Sequence, residues 1–423
     1  MVDASRRDIK KSCTMMHRHR AALLVGLALF MSAAAGPLSA AAGLDEAIEL
    51  IDEGWVDDAE SILDELVAGD PNNPELYYQL SRLHLFRYEG GSSDGGGNWD
   101  DLDRVEDYAE RAIELDPDDA RFYVIYGHGV GLKAMNGGKV KMFTRAKAAK
   151  RRYEKAAELD PENIESRTSL IEFHMQAPGV AGGDKDEARR LAGTVAKIDS
   201  AAGFDAWKTV CLYDENHDAL ESLIQVVIDA HPDSTRGYIE LARLCERRQD
   251  FGCARENFEK VLALDTEDVQ PYWYLQSIYA AEGRADKTVE TLDLAIARQP
   301  GEAYVYRWKA DFYRSREEWG EAVLWYARSL EVDTGYARSL YWMGVSYLES
   351  GKDLDLAGEC FDGYLEARLN VWWPDPALAH CQLARLYAEQ GDERAAKREV
   401  KAAKKLNPGN DEVRRTAKDL RIR

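Results

Sequence analysis

Apolar and polar positions run through this chain in blocks of helical period, separated by short polar stops. A typical block carries an aromatic residue, then Leu or a small residue, then Tyr, on one face of a first helix. A turn follows, and a second helix carries a small Ala with an aromatic four residues on. Tyr238, Leu241, Ala242, Phe251, Ala254 and Phe258 make one such block. Tyr272, Leu275, Tyr279, Gly283, Leu292, Ala295 and Pro300 make the next, followed by Tyr306, Ala310, Tyr313, Trp319, Ala322 and Tyr326. Met343, Gly344, Tyr347, Gly351, Ala357 and Phe361 continue the series, and Leu383, Ala384, Tyr387, Gly391, Ala396 and Pro408 close it. Two antiparallel helices approach closely only where the facing side chains are small, so these positions predict helical hairpins with aromatics filling the space between them.

The stops are nearly periodic. They end at residues 71, 117, 161, 200, 232, 266, 300, 334 and 408, with gaps of 46, 44, 39, 32, 34, 34, 34 and 74. Pro or a short polar residue at each stop ends one helix and resets the chain for the next. Three consecutive gaps of 34 residues, with the residue pattern above, resemble the tetratricopeptide-repeat superfamily, and the likeness extends over roughly nine-tenths of the chain. The resemblance implies an all-α solenoid, a right-handed superhelix of about ten helical hairpins. Its paired loops are similar to those of some exported bacterial members. No single hairpin can bury its apolar face alone, so the array is expected to be cooperative and to build a surface rather than a catalytic pocket.

Three early units exceed the regular length. Inserted loops are expected near 90–101, 136–145 and 177–183, where Gly-rich or Pro-Gly segments occur. The segment Trp372, Trp373, Pro374, Asp375 and Pro376 breaks the array before the last unit. The domain plan is therefore a signal peptide over 1–42, a solenoid over 43–409, and a capping helix over 410–423, which solenoids need at their ends.

The N-terminal segment changes the cellular picture. Arg18, His19 and Arg20 precede an apolar run from Ala21 to Met31 and a small-residue stretch to Gly43, with cleavage expected after Ala40 or Ala42. This predicts a periplasmic or secreted protein; the alternative is an uncleaved inner-membrane anchor over 21–43. The formal charge is −21, and without the first 42 residues 49 basic and 74 acidic side chains leave −25. That balance argues against nucleic acid and against anionic membrane surfaces as partners. Five cysteines remain beyond the signal: Cys211, Cys245, Cys253, Cys360 and Cys381. Their spacing is neither a metal pattern nor a disulfide framework; a Cys245–Cys253 bridge would need an oxidising compartment, and packing thiols are the plainer expectation.

Catalytic signatures do not stand out: the sequence contains no Ser elbow, P-loop, dinucleotide fingerprint or His-Glu-x-x-His. No cofactor or metal is expected, and the chain reads as a non-enzyme. His84 and His174 occupy aromatic slots and are expected to pack. Asp94, Asn98, Asp100, Asp101 and Asp103 gather acidic groups without the ordered calcium-loop spacing. Two features suit binding. The first is a basic patch of Lys139, Lys141, Arg145, Lys147, Lys150, Arg151 and Arg152, with Lys133 and Lys155 at its ends, expected as a solvated helix face or a dock for an acidic partner. The second follows from the resemblance, which places first-helix residues along a concave groove: Tyr78, Arg82, Arg243, Arg247, Trp273, Arg307, Arg314, Tyr341 and Arg385, with Arg236, Tyr304 and Arg338 at helix entries. Arg and aromatics are enriched at binding hot spots, and Arg pairs bidentately with carboxylates. The chain is thus expected to be a scaffold or adaptor in the bacterial envelope, holding a protein or peptide, acidic in character, in this groove. Recognition of an acidic glycan or cell-wall fragment is the alternative.

Overall fold

The computed structural model describes residues 40–421 except 93–96, 136–138 and 265–266, and leaves aside the side chains of residues 40, 91, 92 and 139–141. The expected signal segment lies outside the described residues. The chain forms two compact units, Val56–Glu89 with Asn98–Gly283, and Met1–Trp55 with Gly90–Gly97 and Arg284–Arg423.

The described residues hold 21 α-helices and no strands. The first unit mentioned contains α2 (Val56–Gly69), most of α3 (Pro74–Ser92), α4 (Trp99–Leu115), α5 (Ala120–Met135), α6 (Lys139–Leu159), α7 (Ile164–Gln176), α8 (Lys185–Ile198), α9 (Ser200–Tyr213), α10 (His217–Ala230), α11 (Thr235–Arg247), α12 (Phe251–Leu264) and α13 (Gln270–Ala281). The other contains α1 (Ala40–Asp52), α14 (Ala285–Arg298), α15 (Ala303–Ser315), α16 (Trp319–Val332), α17 (Arg338–Ser350), α18 (Leu354–Leu365), α19 (Pro376–Glu389), α20 (Glu393–Leu406) and α21 (Asp411–Asp419). In chain order these are ten helix pairs and a short final helix.

The polar stops act as caps. Asn163 accepts from the Ser166 amide at 2.7 Å, Asp199 from Ala202 at 2.7 Å, and Asp375 from Ala377 at 2.7 Å, each satisfying a donor that the helix itself leaves orphaned. A second device recurs at the stops. The hydroxyl of a Tyr six residues after a Pro donates to that Pro's carbonyl: Tyr77 to Pro71, Tyr123 to Pro117, Tyr238 to Pro232 and Tyr306 to Pro300, all at 3.0–3.1 Å. Each bond ties a first-helix residue back over the turn that precedes it.

The small residues do what close helix approach requires. Ala242, Ala254, Ala295, Ala310, Ala322, Ala357 and Ala384 are fully buried. A Cβ on Gly344 would lie 2.9 Å from the ring of Phe361, so α17 and α18 meet at that contact only because the side chain is missing. Around these sites Tyr326, Phe361, Tyr364 and Leu340 fill one core, while Val124, Tyr153, Ile171 and Val195 belong to another in the other unit. Truncating a ring such as Phe361 to Ala would cost about 3–5 kcal/mol.

Several expectations change. Residues 139–145, assigned to an inserted loop, are the opening turns of α6, which runs for 21 residues; alternating basic and apolar residues there continue one amphipathic helix. The third insertion, by contrast, is irregular, with a short 3₁₀ turn at Gly179–Ala181. Cys245 and Cys253 form a disulfide with Cα atoms 5.8 Å apart, where simple packing was expected. The hairpin turn brings the end of α11 beside the start of α12, a proximity that eight-residue spacing alone leaves open. Cys211, Cys360 and Cys381 are free and buried.

Candidate binding site

The first-helix residues meet different fates. Arg243 is exposed on α11, donates to the Tyr274 hydroxyl at 3.0 Å, and lies 5.6 Å above that ring. Arg247 is exposed one turn on, and Trp273 is half-buried on α13. Tyr78 packs 5.5 Å from Phe122 with the Arg121 guanidinium 4.9 Å above it, and Arg82 donates to Gln79 at 2.8 Å. Arg314 stacks 4.2 Å above Trp342 and donates to the Tyr326 hydroxyl, while Arg385 pairs with Glu412. At the helix entries, Arg236 pairs with Asp205 at 2.9 Å, the Tyr304 hydroxyl bonds Gln299, and Arg338 is half-buried.

Two expected surface residues are instead core. Arg307 is 9% exposed; it donates to the Tyr336 hydroxyl at 3.0 Å and pairs with Asp311. Tyr341 is 3% exposed and packs edge-on against Phe361 and Tyr364. Their positions suit a groove in the repeat pattern, but Tyr336, in the turn before α17, and Asp311 engage Arg307, and Phe361 and Tyr364 of α18 pack against Tyr341.

The basic patch is also dispersed. Lys139 and Lys141 have side chains outside the described set. Arg145 donates to the Lys133 carbonyl at 3.3 Å, Lys150 pairs with Glu154 at 3.4 Å, and Arg152 stacks 4.3 Å above Tyr126. Lys147 and Arg151 are exposed. Lys133 is buried against Glu106 at 2.8 Å and Asp103. The acidic loop is likewise put to other use: Asn98 caps α4, Asp101 bonds buried His84 at 2.9 Å, and Asp103 meets Lys133. His174 is buried too, as its slot implied. Among the described residues, no group of three or more His, Cys, Asp or Glu is placed to hold a metal ion, and no helix is long and apolar enough to cross a membrane.

One site escaped the sequence reading. A cavity of about 490 Å³ opens between α5, α6 and α7. The apolar stripe of α6, Met142, Phe143, Ala146, Ala149 and Tyr153, forms one wall, and Phe173, Pro178 and Ala181 contribute another. Glu89, Glu165 and Glu172 line it, with no Lys or Arg among the described residues that do so. Although solvent reaches all three, partial desolvation against the cavity walls pushes their carboxyls above the ordinary carboxylate range, with Arg82 partly opposing the effect at Glu165. His128 bonds the Ser169 hydroxyl at 3.0 Å, and burial pushes its imidazole down to about 4, so it is neutral near pH 7. The only sequence signal was the apolar spacing along α6, which reads equally well as ordinary core.

A family model for the tetratricopeptide repeat matches residues 377–410, the segment that folds as α19 and α20. No curated protein matches the sequence. Among solved structures, the chain is similar to yeast Tom70 at 13% identity, covering 91% of this chain and 96% of that one, with a TM-score of 0.41. It is similar to MamA at 21% identity, over 40% of this chain and 95% of that one, with a TM-score of 0.33. YrrB, described as a TPR protein with an unusual peptide-binding site, is 17% identical over 46% of this chain and 97% of its own, with a TM-score of 0.34. With its repeat spacing and small-residue contacts, this chain is an all-α solenoid of helical hairpins, and one of them, α19–α20, matches the tetratricopeptide repeat.

Proposed function

We propose that the chain is a protein–protein interaction scaffold that works outside the cytoplasm of a bacterium and holds a peptide or protein partner on the first helices of its repeats. The observation that carries this reading is the repeated hairpin with first-helix side chains that reach solvent, as at Arg243 and Arg247, beside the half-buried Trp273. Solenoids of this kind expose extended faces suited to polypeptides, and they generally serve as scaffolds rather than catalysts. Export is supported by the charged, apolar and small-residue succession over 18–43, and the Cys245–Cys253 bridge suits an oxidising compartment.

The test is capture of a partner from envelope extract by the full chain, followed by titration of the captured partner at two salt concentrations. An exposed Arg pair contributes about 0–1 kcal/mol, so an Arg-lined face should weaken with salt, and Trp273→Ala should cost more than Arg243→Ala or Arg247→Ala. Salt-independent binding, indifferent to all three changes, removes this face from consideration. Running acidic cell-wall fragments in parallel separates a glycan ligand from a protein one. N-terminal sequencing of the native protein tests export: a start near Ala41 or Gly43 supports it, and a retained apolar segment in the membrane fraction favours the anchor.

A further inference from the structure

We infer that the cavity between α5, α6 and α7 receives a basic side chain, Lys or Arg, that a partner polypeptide presents next to an apolar residue. The inference rests on the reading of this chain as a polypeptide-binding solenoid, but its site and its chemistry differ from those of the Arg and aromatic faces.

The cavity is a product of the irregular units. The regular second helices α8, α10 and α12 have 14 residues each, whereas α6 has 21. Met142 and Phe143 lie in its extra N-terminal turns, and Ala177, Pro178 and Ala181 come from the inserted segment after α7. Small side chains at Ala146 and Ala149 leave open space that larger ones would fill. The size, about 490 Å³, falls in the range of ligand sites. Its apolar walls suit the methylene stem of Lys or Arg together with a neighbouring apolar group.

Charge selects among apolar ligands. Glu165 and Glu172 stand seven residues apart, two turns along one face of α7, and Glu89 reaches the cavity from α3. Neither Glu165 nor Glu172 has an ion-pair partner among the described residues, although the charge of Arg82 acts on Glu165, whereas Glu154 on α6 and Glu187 on α8 are paired. His128 is neutral there and offsets none of their charge. Lys150 of α6 lies 5.7 Å from the Phe173 ring and is paired with Glu154. A cation entering the cavity would therefore gain charge-assisted hydrogen bonds from Glu165 and Glu172.

Calorimetric titration of the full chain decides the matter. One pool of acetylated, amidated pentapeptides carries a central Lys or Arg flanked by Leu and Phe; a matched pool carries Gln or norleucine at the centre. The basic pool should bind at least ~tenfold more tightly, the amount one charge-assisted pair supplies. The double variant Glu165→Gln with Glu172→Gln should bring the basic pool down to the level of the neutral one. Both residues are exposed, so Gln leaves the packing intact. Ala146→Trp, which fills the cavity, should abolish binding of both pools, with the helical circular-dichroism signal confirming that the chain is folded. Equal binding of the two pools, a preference that survives the double variant, or no binding of the basic pool overturns the inference. If partner capture through Arg243 and Trp273 persists in that case, the scaffold reading stands without this site; if capture fails as well, both fall.

Discussion

Asn370 donates its side-chain amide to the backbone carbonyl of Glu53 at 2.8 Å, although 317 residues separate them in the chain. Beside it the Val371 amide donates to the Gly54 carbonyl at 3.0 Å. Trp55 meets Trp373 edge-on at 5.6 Å, and the Arg368 guanidinium lies 4.2 Å above the Trp55 ring. The segment that breaks the array before α19 thus clasps the turn that follows α1. Gly54 has φ +85, and a Cβ there would lie 2.9 Å from the Asn370 side chain. Asn370→Ala should remove about 1 kcal/mol, and amide exchange at Val371 should accelerate about fivefold. Gly54→Ala should cost more, because it adds left-handed backbone strain to a steric contact. Unchanged exchange across α1 and residues 370–373 in both variants would show that the clasp contributes nothing.

Ala322 tests the repeat packing. It is fully buried in one core with Ala310 and Tyr326. Ala322→Trp should overpack that hairpin by about 1–3 kcal/mol, and more if α15 and α16 cannot separate. The loss should spread into α17, because coupling in a solenoid runs between nearest neighbours. Exchange that stays native around Ala310 and Gly344 would contradict this.

His128 gives a pH test. Its folded value, about 4, lies below the unfolded value of about 6.5, so the unfolded state binds more protons in between. Its contribution is complete above about pH 6.5 and is lost as pH falls towards 4, by an amount on the order of 1–3 kcal/mol. The carboxyls of Glu89, Glu165 and Glu172 are shifted upwards and act in the opposite sense, gaining stability as they protonate. The difference between wild type and His128→Gln isolates the imidazole. Urea midpoints should converge as pH falls from 7 to 4; a constant offset would show that His128 titrates normally.

The Cys245–Cys253 bridge closes a loop with a sequence separation of eight. By chain entropy it should stabilise the fold by roughly 2–3 kcal/mol. Cys253→Ser and treatment with reductant should lower the melting temperature by the same amount, and the variant should then be insensitive to reductant. Mass spectrometry of the native protein that finds two free thiols at these positions would dismiss the bridge.

Much of this protein was legible in its sequence because the information is local. Ala322, Gly344 and Ala384 announce close helix contacts, and Asp375 or Pro300 announces a stop, within one unit of about 34 residues. Helix period, capping and turn chemistry depend on neighbours a few positions away, so the hairpin array, the buried His84 and His174 and the closing helix could be read directly. The binding surfaces could not. Arg307 and Arg243 share the same repeat logic, yet Tyr336 and Asp311 hold one inside while the other reaches solvent. Glu89, Glu165, His128 and Phe143 come from four helices, and nothing in their spacing announces a common cavity. Solvent exposure and ion pairing depend on which helix packs over which side chain, and that is settled by contacts between residues remote in sequence, which only the tertiary structure supplies.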